Sequence, residues 1–448
     1  MQATLIENAT IVNEGKSFEG SVKIRDGRII EIGSSLSFDG VNTIVNAEGL
    51  HLLPGMIDDQ VHFREPGATG KATIKTEAVA AVAGGTTSFM DMPNTSPQTV
   101  TVEEWEKKMA IGSRDSIANY GFFLGATNDN LDELKKMDIC RCPGIKVFMG
   151  SSTGNMLVDK EQSLEGIFKE SRAIIATHCE KTDIIQENEK LAREKYGENV
   201  PFKCHPLIRS REACLESTRL AVSLAQTFNS QLHIFHLSTS DEVELLRNIN
   251  SGKNFSAKNI TGEACLPHLI FTDNDYERLG AKIKCNPAIK TVNDRQALIQ
   301  GINDGVIDII ATDHAPHLEQ EKAAAYFKAP SGIPMCQHSL SALLELYHRN
   351  ELSLETIVSA TSHNVARRYH IQDRGFIREG YFADLVLVDL NGRQTVTKDQ
   401  ILYKCGWSPF EGKTFPSRII STWVNGELAF CEGVLCKTSA GMAMFYDR

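Results

Sequence analysis

Eight short apolar runs alternate with helical patterns through the middle of this chain, and most of the runs end on a polar residue. They occupy residues 52–62, 86–92, 119–124, 144–149, 174–178, 232–236, 282–286 and 307–313. Helical periodicity fills several of the gaps, over 73–83, 212–226 and 294–303. Short buried strands separated by helices are the mark of βα units. Eight of them predict an α/β fold, a closed (β/α)8 TIM-type barrel rather than an open sheet.

The two ends of the chain read differently. Ser21-Val22-Lys23-Ile24-Arg25, Asp26-Gly27 and Arg28-Ile29-Ile30 form a hairpin with a strong turn signal. The same pattern returns after about Gly380, in Ala383–Asp389 and again around Asn425-Gly426. A small discontinuous β-sandwich domain is expected from residues 1–52 and 371–448, flanking a catalytic barrel over 53–370. Residues 318–338 are the longest irregular stretch and are expected to cover the barrel mouth.

Charge and composition narrow the function. The 448 residues carry a formal net charge of −10 and no Lys/Arg cluster, which argues against a nucleic-acid partner. No apolar run is long enough to cross a bilayer, so no membrane partner is expected. The first residues lack the charged and apolar regions of a secretion signal. Eleven scattered cysteines without CxxC spacing fit a reducing compartment, and a cytoplasmic location is expected.

In a barrel, chemistry sits at the carboxyl ends of the strands. Here those ends carry His62, His178, His236, Asn286 and Asp313, and Lys146 lies inside the fourth strand. Imidazoles and a carboxylate gathered at one mouth point to a metal centre, with zinc as the natural occupant. A lysine is odd in that company, because an ammonium repels metal ions. Apolar Ile145, Val147 and Phe148 would favour the neutral amine of Lys146, which can react with carbon dioxide to give an anionic carbamate. The alternative is a lysine that reaches solvent or pairs with a carboxylate.

Four segments together resemble dihydroorotase, a cyclic amidohydrolase family of pyrimidine biosynthesis. They are Pro54-Gly55-Met56-Ile57-Asp58-Asp59-Gln60-Val61-His62-Phe63-Arg64-Glu65-Pro66-Gly67, Met92-Pro93-Asn94-Thr95, Ala311-Thr312-Asp313-His314-Ala315-Pro316-His317 and Gly406-Trp407-Ser408-Pro409-Phe410-Glu411-Gly412. The resemblance implies a zinc-dependent barrel with a β-sandwich appendage. It makes His62, His178, His236 and Asp313 metal ligands, and Lys146 the carboxylated ligand that bridges two zincs in many members. Arg64 and Asn94 match residues that hold the substrate carboxylate, and Asn286 and His317 match further substrate contacts. Gly332 and Ile333 lie in a loop resembling one that touches the pyrimidine ring through its backbone. The implied reaction is the reversible hydrolysis of (S)-dihydroorotate to N-carbamoyl-L-aspartate by a zinc-activated hydroxide, with Asp313 as catalytic proton shuttle.

One departure stands out. The family usually has histidine two residues before His62, and this chain has Gln60, whose neutral carbonyl is a weak ligand. One zinc ion is therefore expected and a second is left open. The polar, glycine-bounded segment Gly150–Met156 suggests a lid in which Ser152 or Thr153 meets substrate. A homodimer is the family expectation. The rival readings are a hydantoinase, dihydropyrimidinase or allantoinase, and a non-catalytic scaffold associated with aspartate transcarbamoylase.

Overall fold

The computed structural model describes residues 3–150, 156–436 and 441–448, and among them eight parallel strands form the barrel. These are β1 (Met56–Val61), β2 (Thr86–Asp91), β3 (Asn119–Phe122), β4 (Ile145–Phe148), β5 (Ile175–His178), β6 (Leu232–Ile234), β7 (Ile260–Cys265) and β8 (Ile309–Ala311). Strand β1 pairs with β2 and β2 with β3; a short continuation of β3, Leu124–Gly125, pairs with β4, and pairing then runs in order to β8. The ring closes where Val61 bridges His314 and the His62 N–H donates to the His314 carbonyl at 2.7 Å.

Two strand expectations are corrected. The seventh strand is Ile260–Cys265, not 282–286, which begins inside a 3-10 turn at Gly280–Ile283, beyond the short helices that follow β7. Gly262 and Glu263 interrupt the apolar pattern of the true strand, whereas buried Ile283 and Cys285 imitate strand alternation. The run 52–62 also divides. His51–Pro54 joins the sheet of the chain ends, and β1 begins at Met56. Gly55 stands at the division and lies so close to Thr87 that a Cβ there would meet its side chain at 2.3 Å.

Several of the helices between strands are fixed at their starts by side-chain caps. Thr73 accepts the Thr76 N–H ahead of Ile74–Ala83, Ser210 caps Arg211–Phe228, and Thr291 with Asp294 forms a capping box for Val292–Asn303. No helix among the described residues is long and apolar enough to cross a membrane.

Both chain ends enter one nine-stranded sheet among the described residues. Within it Ala3–Asn13 lies parallel to His51–Pro54, and that strand pairs antiparallel with Leu385–Asp389 at the middle of the sheet. Leu52 faces Leu387 across this junction. Ile11, Ile24, Leu52, Leu385 and Trp423 then share one apolar cluster. The Asp26-Gly27 and Asn425-Gly426 turns both have positive φ at each central residue, as two-residue hairpins require. Residues 441–448 leave this sheet and return to the barrel. Tyr120 donates its N–H to Met442 and accepts that of Met444, while the Arg448 guanidinium donates to the carbonyls of Cys142, Pro143 and Tyr369.

A buried polar network joins barrel and sheet. Asp384 accepts the Asn425 N–H at 2.8 Å, pairs with Arg374, and accepts the Asn119 amide at 3.1 Å. Arg374 also donates to Asn425 Oδ1 at 2.7 Å. The Arg374 and Asp384 side chains are 3% and 4% exposed, so removing one charge strands the other away from water. Arg374→Leu is expected to destabilise the protein by about 3–5 kcal/mol in denaturant unfolding. The double variant Arg374→Leu/Asp384→Leu should recover much of that loss; equal loss in both variants would show that the pair is not the cause.

Candidate active site

Strand alternation decides which side chains enter the barrel. On β4, Ile145 and Val147 join the large apolar cluster, and Lys146 and Phe148 turn into a cavity at the mouth. The same cavity receives His62, Arg64, Asn94, His178, His236, Asn286, Asp313 and Gly332. Arg64, His236 and Asp313 have left-handed backbones, with φ of 64°, 42° and 47°. Such conformations cost about 1–2 kcal/mol each for residues with side chains. They mark sharp turns at strand ends that aim these side chains back over the mouth. Asp91, ending β2, holds the turn after β1 by accepting the Phe63 N–H at 2.7 Å and pairing with Lys108 at 2.5 Å.

Two pairs of ligand-type atoms converge. His178 Nδ1 and His236 Nε2 are 2.9 Å apart, and His62 Nε2 and Asp313 Oδ1 are 3.2 Å apart. Behind the first pair, His178 Nε2 lies 3.0 Å from Glu180, which is ion-paired with Arg209. Burial alone would raise the Glu180 pKa, but Arg209 and His178 hold it down at about 2. An ionised carboxylate there favours hydrogen on Nε2 and leaves the Nδ1 lone pair facing the cavity. Behind the second pair, His62 Nδ1 lies 2.8 Å from Asn94 Oδ1.

Lys146 is 1% exposed, and its Nζ has no hydrogen-bond partner. The ammonium lies 4.0 Å from the centre of the Phe235 ring. Burial pushes its pKa down to about 7, against the opposing pull of Glu263 and Asp313. His236 Nδ1 is likewise buried without a partner. Converging imidazole nitrogens, an adjacent carboxylate and an orphaned amine fit a divalent metal of the zinc type.

The far side of the cavity is cationic. Arg64 donates from Nε to the Pro316 carbonyl at 3.1 Å, and its Nη2 lies 3.1 Å from His317 Nε2. The other His317 nitrogen is 3.1 Å from Lys71, which pairs with Glu321 at 2.8 Å. Burial, then Arg64 and Lys71, push the His317 pKa far down, so it is a neutral buttress behind Arg64. Burial brings Arg64 to about 10, which leaves it charged at neutral pH. Asn286 presents a buried Oδ1 without a partner. Gly332 lines the cavity at φ 144°, where a Cβ would meet the Ala315 carbonyl at 2.3 Å. Ile333 is packed into the core, and its carbonyl accepts the Ala315 N–H. The expected lid residues Ser152 and Thr153 lie outside the described residues.

Sequence reasoning missed a polar cluster directly beneath the mouth. His233 Nε2 lies 3.4 Å from Asp59 and 3.2 Å from Glu263, and all three residues are fully buried. Their donor atoms lie close enough together to surround one ion. Burial opposes protonation of His233, but the two carboxylates raise its pKa; burial and Asp59 raise that of Glu263. Glu263 also accepts the His236 N–H at 3.2 Å, tying this cluster to the mouth. Period-two alternation from Ile57 would have placed Asp59 inward. Glu263 was hidden with the unrecognised strand β7.

Comparisons with known proteins show the family and the fold. Residues 51–429 match the amidohydrolase family. A dihydroorotase of Methanosarcina acetivorans is 32% identical over 95% of this chain and 92% of its own length. An allantoinase of Desulfitobacterium hafniense is 29% identical over 98% of this chain and 97% of its own. The fold matches that of an L-hydantoinase (dihydropyrimidinase) from Arthrobacter aurescens with a TM-score of 0.94, at 23% identity over 99% of this chain and 100% of that one.

The buried amine makes a stability prediction. Lys146 falls from 10.5 when unfolded to about 7 when folded. Between those values the unfolded chain binds the extra proton, so stability rises with pH there, and the penalty is complete below pH 7. In metal-free protein, Lys146→Met should raise unfolding free energy by about 2–4 kcal/mol below pH 7, with the gain shrinking toward pH 10. A gain independent of pH would show that Lys146 is not a buried, depressed amine.

Proposed function

The chain belongs to the amidohydrolase family and is a cyclic amidohydrolase, and from that premise we propose that it is a zinc-dependent dihydroorotase of pyrimidine biosynthesis. The observation that carries this reading is Arg64. It is a buried cation held at the cavity edge by Pro316 and His317, with Lys71 behind it. Dihydroorotate carries a ring carboxylate that such a guanidinium can grip through a planar fork. Hydantoin, dihydrouracil and allantoin offer no carboxylate to grip. The dihydroorotase relative supports the same choice, while the allantoinase relative supports a second reading as a hydrolase of neutral ureides.

Lys146, His178 and His236 would hold zinc, with His62 and Asp313 beside it. Bound zinc supplies a Lewis acid that polarises the scissile carbonyl and acidifies a water. For Lys146 to act as an anion, its neutral amine adds to carbon dioxide and loses one proton, leaving a carbamate. Arg64 and Asn94 fix the substrate carboxylate, and Asn286 and the Gly332 backbone border the ring. Asp313 accepts a proton as the water oxygen adds to the carbonyl carbon. It returns that proton to the ring nitrogen as the C–N bond breaks. The second water proton leaves when the new carboxyl group ionises. The same steps in reverse close the ring.

A substrate panel tests the proposal. The purified protein should hydrolyse dihydroorotate with kcat/KM about 100-fold or more above hydantoin, dihydrouracil and allantoin. Arg64→Met should reduce kcat/KM for dihydroorotate by about 100-fold, and Asp313→Asn should reduce kcat by about 1,000-fold with the fold intact. Preference for allantoin or hydantoin would overturn the dihydroorotase reading, and near-normal turnover by Asp313→Asn would overturn the proton route.

A further inference from the structure

The donor atoms at the mouth divide unequally. His178 Nδ1, His236 Nε2 and Lys146 make one group of three, the number of protein ligands a catalytic zinc usually takes while keeping a position open. His62 Nε2 and Asp313 Oδ1 make a second group of only two. The other ring nitrogen of His62 is occupied by Asn94 at 2.8 Å.

Nothing nearby among the described residues completes the second group. Gln60 borders the cavity, but its Oε1 lies 3.1 Å from Cys265 Sγ, a buried thiol that burial keeps protonated and therefore a donor. A neutral amide oxygen already accepting a hydrogen bond is a poor zinc ligand. Asp58 accepts both the N–H and the hydroxyl of Thr312, at 3.1 and 2.5 Å. Asp59 is turned beneath the mouth toward His233.

Resting on the amidohydrolase reading above, we propose that this mouth is built for a single metal ion, held by Lys146, His178 and His236. Gln60 leaves His62 and Asp313 as a metal-free pair. Lys146 is then a terminal ligand and not a bridge. Asp313 keeps its carboxylate oxygens for proton transfer, and His62, held by Asn94, serves to orient it. His62 is thus a positioning residue and not a ligand.

Metal content tests this without recourse to turnover. Protein stripped with a chelator is reloaded with excess zinc, dialysed, and examined by elemental analysis and by anomalous diffraction at the zinc edge. The expected result is about one zinc per chain, with a peak among Lys146, His178 and His236 and none beside His62 and Asp313. Gln60→Ala should still hold about one zinc, and His178→Ala close to none. Gln60→His should hold about two, the second between His62 and Asp313. A wild-type peak beside His62 and Asp313, or loss of zinc in Gln60→Ala, overturns the proposal. Zinc binding with no dihydroorotate turnover sinks the substrate reading alone, whereas two zincs at the mouth with turnover sinks this inference alone. Failure of wild-type protein to bind zinc at all overturns both.

Discussion

The seam between the last and first barrel strands sets the geometry of everything at the mouth. Asp58 on β1 accepts two hydrogen bonds from Thr312, and the backbone seam continues from His62 to His314. His314 in turn reaches Glu77 on the first barrel helix at 2.8 Å. These contacts place the residues that follow β1, His62 and Arg64, beside those that follow β8, Asp313 and His317. A slip of one residue along this seam would reverse every side chain and dissolve both pairings at once. Asp58 is itself buried, and burial pushes its pKa up to about 7, so the seam depends on an acid whose surroundings resist its charge.

Much of this was legible because strand ends are short, punctuated and local. His62, His178, His236 and Asp313 each close an apolar run and Lys146 lies inside one, so their meeting at one mouth follows once eight units are counted. The exceptions share a cause. Strand β7 carries Glu263 in its interior, a residue that reads as solvent-exposed unless its partner His233 on β6 is known. Arg209 and Glu180 come from separate loops and meet only through space. Lys71 reaches the site through His317 and has no signal of its own in the chain. Local pattern finds residues at strand ends; it does not find pairs whose logic is mutual burial.

The interior is unusually polar for a barrel core. Asp59, Lys146 and His236 keep buried atoms without hydrogen-bond partners, and three site residues hold left-handed backbones. Each feature opposes stability, and each lies at or just beneath the mouth. Opposing them is a large apolar cluster between barrel and helices, together with a second one inside the barrel floor that includes Ile57, Phe123, Phe235, Tyr369 and Tyr446. Glu263 connects the two regimes, since it accepts the N–H of strained His236 while facing His233. Rigid placement of the mouth therefore rests on groups that a purely apolar core would not contain.

The sheet shared by both chain ends bears on how the molecule is assembled in time. Leu52 finds its partner at Leu387, so the whole barrel lies as an insertion between two neighbouring strands. During synthesis His51–Pro54 waits with one edge unpaired until nearly the entire barrel has left the ribosome. Pairings so remote along the chain are slow to form, and waiting edges invite association with other chains. The joint that unites the two parts of the finished enzyme is thus its most exposed point while it is being made.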